Sequence, residues 1–459
     1  MDLLNLFFWF ICIAFIGYFI VDICAATLNY EEKIMQAFPL GVGCTSTLLG
    51  IQSIFKIPYS KYATVALLLF LLIVQLFRKR KILPNLSVCQ QIFGTMRLQT
   101  LDKVFIGIIL IQTVYAFFTA LIKPWASYDG LVMYSMKAKL FYFSGGIPAD
   151  FVSGYSEMIP NLQYPLLVPF AQLNFYLFQG YLNDSLVNVL FPIYSLSLIT
   201  CLFCFARREI GRTWALGLCA MLATVPQYFA MGTYVNTDVV LSFYFTAGVF
   251  YLHSWLFSEK KSELILGMLY MFLTISTKTE GVMLLTVSAV SILIFLIIYK
   301  RKLIGLGFLV GIYLLALVEG YLYATKAMNL NIQDAFPDFK VTEAPVRLFK
   351  NVSRMPKILY EYQRQIFQPK RWNIVWVIFL ITILTNVTRV IRKKYMGLGI
   401  WLLLVALGYT SVYLLTQLPL TWHLSTTSSR FLIHLLPLAV LYMGIITKDQ
   451  YDASITGYQ

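Results

Sequence analysis

Uninterrupted apolar runs of about 20 residues recur from one end of this chain to the other, and a run of that length is what a helix needs to cross a bilayer. In hydrocarbon every backbone N–H and C=O must be satisfied inside the protein, which leaves helices or closed barrels as spanning structures. Barrel strands are short and alternate in polarity, whereas these runs are long and unbroken. The expected fold is therefore all-α, a polytopic bundle of transmembrane helices. Composition agrees, with 59% apolar and 12% charged residues among 459, against about a quarter charged in soluble domains. A soluble globular domain, a disordered chain, a secreted disulfide scaffold and a collagen-like fibre are excluded.

Thirteen spans are predicted, at 3–23, 34–55, 62–77, 104–122, 185–206, 213–232, 239–257, 264–277, 282–299, 303–323, 372–388, 397–416 and 431–446. One further apolar stretch, 164–180, carries Pro165 and Pro169 near its start. Cytoplasmic loops collect Lys and Arg, and the basic clusters at 78–81, 207–208, 260–261, 300–302 and 389–394 share one side only if 164–180 does not cross. It is expected to be a juxtamembrane helix. This topology puts the N-terminus outside, the C-terminus inside, and outer loops at 123–184, 324–371 and 417–430. The chain divides into accessory N-terminal helices with a cytoplasmic loop (1–103), a core (104–325), an outer loop (326–371) and C-terminal helices (372–459). The second outer loop is more basic than acidic, against the rule that located it, and its cations suit an anionic partner such as lipid head groups or a phosphate-linked substrate.

The net charge of +15 therefore mostly reports orientation. No basic run is interleaved with aromatics as a nucleic-acid site requires. Cys201 and Cys204 form a CxxC inside an apolar run and read as lipid-facing or packed thiols rather than a redox or zinc pair. Three histidines leave no His-rich metal site. The first run is too long, and lacks the basic flank and cleavage site, for a removed signal peptide. Walker, HExxH and GxSxG motifs do not occur, so nucleotide hydrolysis, zinc proteolysis and hydrolase-type serine chemistry have no footing.

Ionisable groups near hydrocarbon are costly and are functional candidates by default. Asp129 follows the span 104–122, beside Tyr128 and ahead of Lys137 and Lys139. Asp238 opens the span 239–257. Each has a competing role as a helix N-cap. Lys278 and Glu280 share the short turn Lys278-Thr279-Glu280-Gly281, where their signs also suit the dipoles of the adjoining helices. Arg430 precedes the last span; a cation at a helix N-terminus opposes the dipole, so a bound anion explains it better. His423 is a hydrogen-bonding candidate in the same loop, and Glu319 lines a cavity or pairs with a neighbouring helix. Asp150, Glu157 and Asp184 are accounted for by solvation and capping.

The order of these features resembles the GT-C superfamily of membrane glycosyltransferases, in the branch of protein O-mannosyltransferases and aminoarabinose transferases. The resemblance runs from residue 104 to the last helix and rests on four segments: Asp129 followed by Lys137-Ala138-Lys139, Tyr164-Pro165-Leu166-Leu167, Lys278-Thr279-Glu280-Gly281, and Trp422-His423 with Ser428 and Arg430. The chain departs from the pattern at Gly130 and at Asn161-Leu162-Gln163, which leaves the acceptor open.

The resemblance implies a GT-C-like fold and transfer of a sugar, with inversion, from a polyprenyl-phosphate-linked donor to an acceptor hydroxyl at the outer face of a bacterial plasma membrane. The endoplasmic reticulum is the alternative location. Asp129 would be the catalytic base, and Lys137, Lys139, Tyr164, Asp238, Lys278, Glu280, His423 and Arg430 would bind substrate. The acceptor would be a glycan, a lipid or a protein. No cofactor is expected, and a divalent metal is disfavoured because the Asp129 segment offers one carboxylate where such an ion wants several oxygen ligands. Two competing readings are a flippase or transporter of a lipid-linked saccharide, which also needs interior charges, and a non-catalytic assembly subunit.

Overall fold

A computed structural model describes residues 2–78, 98–123, 127–299 and 344–456, with isolated positions between 307 and 328. Glu319, much of the expected span at 303–323, residues 79–81 of the first basic cluster and the whole cluster 300–302 lie outside the described residues. Among the described residues every regular element is helical: α1 (Asp2–Cys24), α2 (Tyr30–Ile54), α3 (Lys61–Phe77), α4 (Thr100–Ile122), α5 (Met136–Ser144), α6 (Leu167–Gln179), α7 (Leu190–Ile210), α8 (Arg212–Ala223), α9 (Pro226–Thr233), α10 (Thr237–Ser258), α11 (Lys261–Thr277), α12 (Glu280–Ile298), α13 (Met355–Ile366), α14 (Val375–Thr385), α15 (Lys393–Leu415) and α16 (Leu420–Thr456), with a few shorter turns between them.

Eight of these helices are long and apolar enough to cross a membrane, or nine if α8 and α9 count as one span. The protein is a helical integral membrane protein. Some of the thirteen expected spans fall short of that length: α3, α11 and α14 have 17, 17 and 11 residues.

Two differences from the sequence-based expectation have local causes, and a third stretch behaves as expected. The expected span 213–232 is broken between α8 and α9 by a 71° bend. Pro226 has no N–H to continue a helix, and Val225 before it is extended, as a residue preceding proline must be. The stretch 164–180, expected not to cross, forms only the 13 residues of α6, about 20 Å of helix, too short to cross, and almost all of it is buried. The loop expected at 417–430 contracts to a few residues, because α16 starts at Leu420 and continues for 37 residues. At about 55 Å, that helix is longer than the roughly 30 Å of hydrocarbon requires.

Of the three leading helices expected to be an accessory layer, α1 and α2 pack into the same hydrophobic core as the rest. The Trp9 indole donates to Asn174 Oδ1 of α6 at 2.9 Å, and Tyr244 of α10 donates to the Pro39 carbonyl at 2.7 Å. Tyr270 of α11 donates to Gln36 Oε1 at 2.9 Å. Central α10 is buried along nearly its whole length. Its 22 residues extend about 33 Å, so its two ends are one bilayer apart. At one end lie Asp238 and the cluster described below. Towards the other lie the ion pairs Arg207–Glu31, Arg208–Glu32 and Arg212–Asp102, which tie α2, α7, α8 and α4 together.

Candidate active site

Asp238 is fully buried at the start of α10. It is not the N-cap of that helix. Asn236 takes that position, its Oδ1 accepting the Asp238 backbone N–H at 2.9 Å, which leaves the Asp238 carboxylate free for other partners. Oδ1 accepts from Lys278 Nζ at 2.9 Å, and Oδ2 accepts from Arg430 Nε at 2.5 Å. His434 Nε2 lies 3.3 Å from Oδ1, while its Nδ1 is 2.5 Å from the Tyr409 hydroxyl.

The two cations carry the network outward. Lys278 follows the last residue of α11, and its Nζ also meets Glu280 Oε1, in the first turn of α12, at 2.8 Å. Burial alone would lower the Lys278 ammonium, but the carboxylates of Asp238 and Glu280 outweigh it and hold the pKa above the ordinary lysine value. Arg430, inside α16, reaches Asp129 Oδ2 through Nη1 at 2.7 Å. Asp129 precedes a π-helical turn, Gly130–Ser135, and makes no capping bond with its side chain, so the N-cap role does not hold for it either. The cluster thus contains three carboxylates and two cations from four separate parts of the chain.

Two glycines allow this approach. A Cβ on Gly130 would sit 2.4 Å from the Val235 carbonyl oxygen, so the absence of a side chain lets the Asp129 segment lie against the entry to α10. A Cβ on Gly281 would sit 2.2 Å from the Thr274 carbonyl oxygen, so the tight turn holding Lys278 and Glu280 requires glycine there.

The cluster grades from buried to accessible. Asp238 and Lys278 side chains are 0% and 5% exposed, whereas Arg430 and Asp129 are 17% and 27% exposed. Arg430 Nη2 and Asp129 Oδ1 have no hydrogen-bond partner among the described residues, and Lys278 has a third ammonium proton after its two carboxylates. Of these, the atoms of Arg430 and Asp129 lie at the accessible end of the cluster and could meet a bound molecule, while the Lys278 ammonium stays behind them, buried. Both Asp238 oxygens are taken by cations. Among the described residues no three His, Cys, Asp or Glu side chains converge as metal ligands.

The other expected residues divide. Half-buried Tyr164 lies within electrostatic reach of Glu280, Lys278, Arg430 and Asp129; desolvation, then Glu280, raises its phenol. Lys137 instead donates to the backbone carbonyls of Asn161 and Leu162 at 2.6 and 3.3 Å, and burial lowers its pKa to about 7. Lys139 is paired with Asp184 at 2.8 Å. His423 faces Thr416 Oγ1 at 3.0 Å and packs edge-on against Tyr413, with no hydrogen bond to the cluster. The argument that placed an anion against Arg430 at a helix N-terminus does not survive: Arg430 lies three turns into α16, and its charge is met by Asp238 and Asp129. Sequence reasoning passed over His434 and Tyr409. The signal for His434 was its spacing of four from Arg430, which puts both on one helical face.

The chain matches no known protein-family model, and a search of curated proteins likewise finds no match.

Proposed function

We propose that this protein is a membrane glycosyltransferase that uses a polyprenyl-phosphate-linked sugar, of the kind its sequence resembles in the GT-C superfamily. The observation that carries the reading is the convergence of Asp129, Asp238, Lys278, Glu280 and Arg430 at one end of the bundle, with an accessible carboxylate oxygen beside guanidinium and ammonium donors.

In this reading the acceptor hydroxyl gives its proton to Asp129 Oδ1 as its oxygen attacks the anomeric carbon. The bond from that carbon to the phosphate oxygen breaks, and its electron pair leaves with the lipid phosphate. A single displacement inverts the anomeric centre. The phosphate is a stable leaving anion, so it needs charge stabilisation more than a proton; Arg430 Nη2 would supply it, with the buried charge of Lys278 behind it. Asp238 acts as the fixed anchor of both cations. The donor's apolar tail stays among the helices, so the active site lies at the outer face of a membrane, the plasma membrane of a bacterium being the setting the resemblance implies.

One observation favours a transporter of a lipid-linked saccharide instead: the 71° break between α8 and α9 is the kind of discontinuous helix that transporters place at their binding sites. Against it, Asp238, Lys278 and Glu280 sit at the ends of α10, α11 and α12 and not midway along them.

The test uses the purified full chain with polyprenyl-phosphate sugars and a panel of acceptor hydroxyl compounds. Asp129→Asn is expected to lower transfer at least about 100-fold while donor binding persists. Unchanged turnover would remove the base role, and flipping of a fluorescent lipid-linked sugar in vesicles without any transfer would favour the transporter.

A further inference from the structure

The segment 344–372 carries seven Lys and Arg residues and a single acid, Glu361, which is already paired with Arg364. It is fixed at the same end of the bundle as the charge cluster. Asn351 Nδ2 donates to the Leu414 carbonyl at 2.7 Å, and Arg354 Nη1 donates to the Thr416 carbonyl at 2.9 Å, satisfying the open C-terminal end of α15. Ser428 of α16, two residues before Arg430, donates to Glu361 Oε1 at 3.1 Å.

Its central helix, α13, has the reverse of a water-facing surface. The stripe turned towards the bundle contains Ile358 but also Glu361 and Gln365. A second stripe, at spacings of three, seven and ten residues, alternates cation and ring: Lys357, Tyr360, Arg364 and Phe367. Tyr360 is 68% exposed and Phe367 59%, and upstream Phe349 is 82% exposed. A soluble surface scatters such residues singly. A basic amphipathic helix with aromatics alternating with Lys and Arg matches the boundary between lipid and water, where rings sit at head-group level and long cationic side chains reach the phosphates. Lys350, Lys357 and Lys370 form no ion pair with any described residue.

We infer that the 344–372 segment is an interfacial strap that lies in the head-group layer on the side of the charge cluster and binds anionic phospholipid through Lys350, Lys357 and Lys370. This also accounts for the excess of basic residues in a loop that charge parity places away from the cytoplasm: these cations serve a lipid surface and do not set orientation. A lipid-linked donor offers the same phosphate chemistry, but the strap extends over 29 residues, too long for one head group and suited to a row of bilayer lipids.

The test places the full chain in phosphatidylcholine nanodiscs with graded phosphatidylglycerol. Lipids retained on release are counted by native mass spectrometry for the parent protein and for Lys350→Gln/Lys357→Gln/Lys370→Gln. Each surface cation is worth about a fivefold change in affinity for an anionic surface. The triple variant is expected to lose at least about tenfold in preference for phosphatidylglycerol, with its elution profile and helical circular dichroism unchanged. The parent protein is expected to gain thermal stability with phosphatidylglycerol, and the triple variant to lose that gain. Equal retention of the two lipids, an undiminished preference in the triple variant, or displacement of phosphatidylglycerol by polyprenyl phosphate overturns the inference. None of these outcomes depends on sugar transfer, which is judged separately through Asp129→Asn.

Discussion

Asp238→Asn tests whether one buried carboxylate organises the cluster. The substitution keeps the shape of the side chain and removes its charge. In the native protein Asp238 is 0% exposed and contacts Lys278 at 2.9 Å and Arg430 at 2.5 Å. Without it, two largely desolvated cations each lose a counter-charge, and the new amide turns a donor towards one of them. Breaking one buried pair costs about 3–5 kcal/mol. The loss here does not double, because Lys278 keeps Glu280 at 2.8 Å and Arg430 keeps Asp129 at 2.7 Å. With an unfolding entropy of about 2.1 cal/mol/K per residue, a chain of 459 residues changes by roughly 1 kcal/mol per degree. The melting temperature in detergent should therefore fall by about 3–5 °C. Asp129→Asn removes a pair in which the carboxylate is 27% exposed, and such pairs are worth about 0–1 kcal/mol, so the same assay should move by about 1 °C or less. Removing the charge of a partner as well, in Asp238→Asn/Lys278→Met, should recover part of the loss, because one unpaired ammonium is gone. Equal shifts for the two aspartate variants, or a double variant less stable than Asp238→Asn by the full cost of a second buried pair, would refute the assignment of Asp238 as the anchor.

Gly281→Ala should destabilise by about 1–3 kcal/mol or more, since the added carbon meets a carbonyl oxygen at 2.2 Å; yield of monodisperse protein and its melting temperature report this. Lys137 gives a pH dependence. Its folded-state pKa is lowered to about 7 from an unfolded value near 10.4, so between those values the unfolded state binds more protons. Stability should rise with pH across that window by up to about 1.4 kcal/mol per unit and stay flat below it. Lys137→Met should flatten the rise when melting is followed from pH 6 to 10.

Hydropathy made the class of this protein legible, because long apolar runs have no soluble alternative. It could not place every helix end. The run Ser425-Thr426-Thr427-Ser428-Ser429 reads as a loop, since hydroxyl residues compete with the backbone for hydrogen bonds. In the structure they sit inside α16 by turning that competition inward: Ser425 and Thr426 each donate to the Trp422 carbonyl at 2.9 Å, and Thr427 donates to the His423 carbonyl at 2.7 Å. The polar run is part of the helix, and it places Arg430 three turns inside α16 and not at a helix start.

The site shows the same limit in another form. The rule that ionisable groups near lipid are functional candidates picked out Asp129, Asp238, Lys278, Glu280 and Arg430 one by one, and the fold brings all five together. Local rules then misjudged how each charge is met. Helix-dipole reasoning left Arg430 without a partner, yet its partners are 192 and 301 residues away in sequence. Capping reasoning offered Asp238 a role that Asn236, two residues earlier, already fills. Single-sequence rules reach only the nearest turn of chain, whereas a charge close to lipid must be answered by whichever segment folding brings beside it. The residues whose local explanations fail are therefore the ones to examine first for long-range pairing, and in this bundle they converge on Asp238.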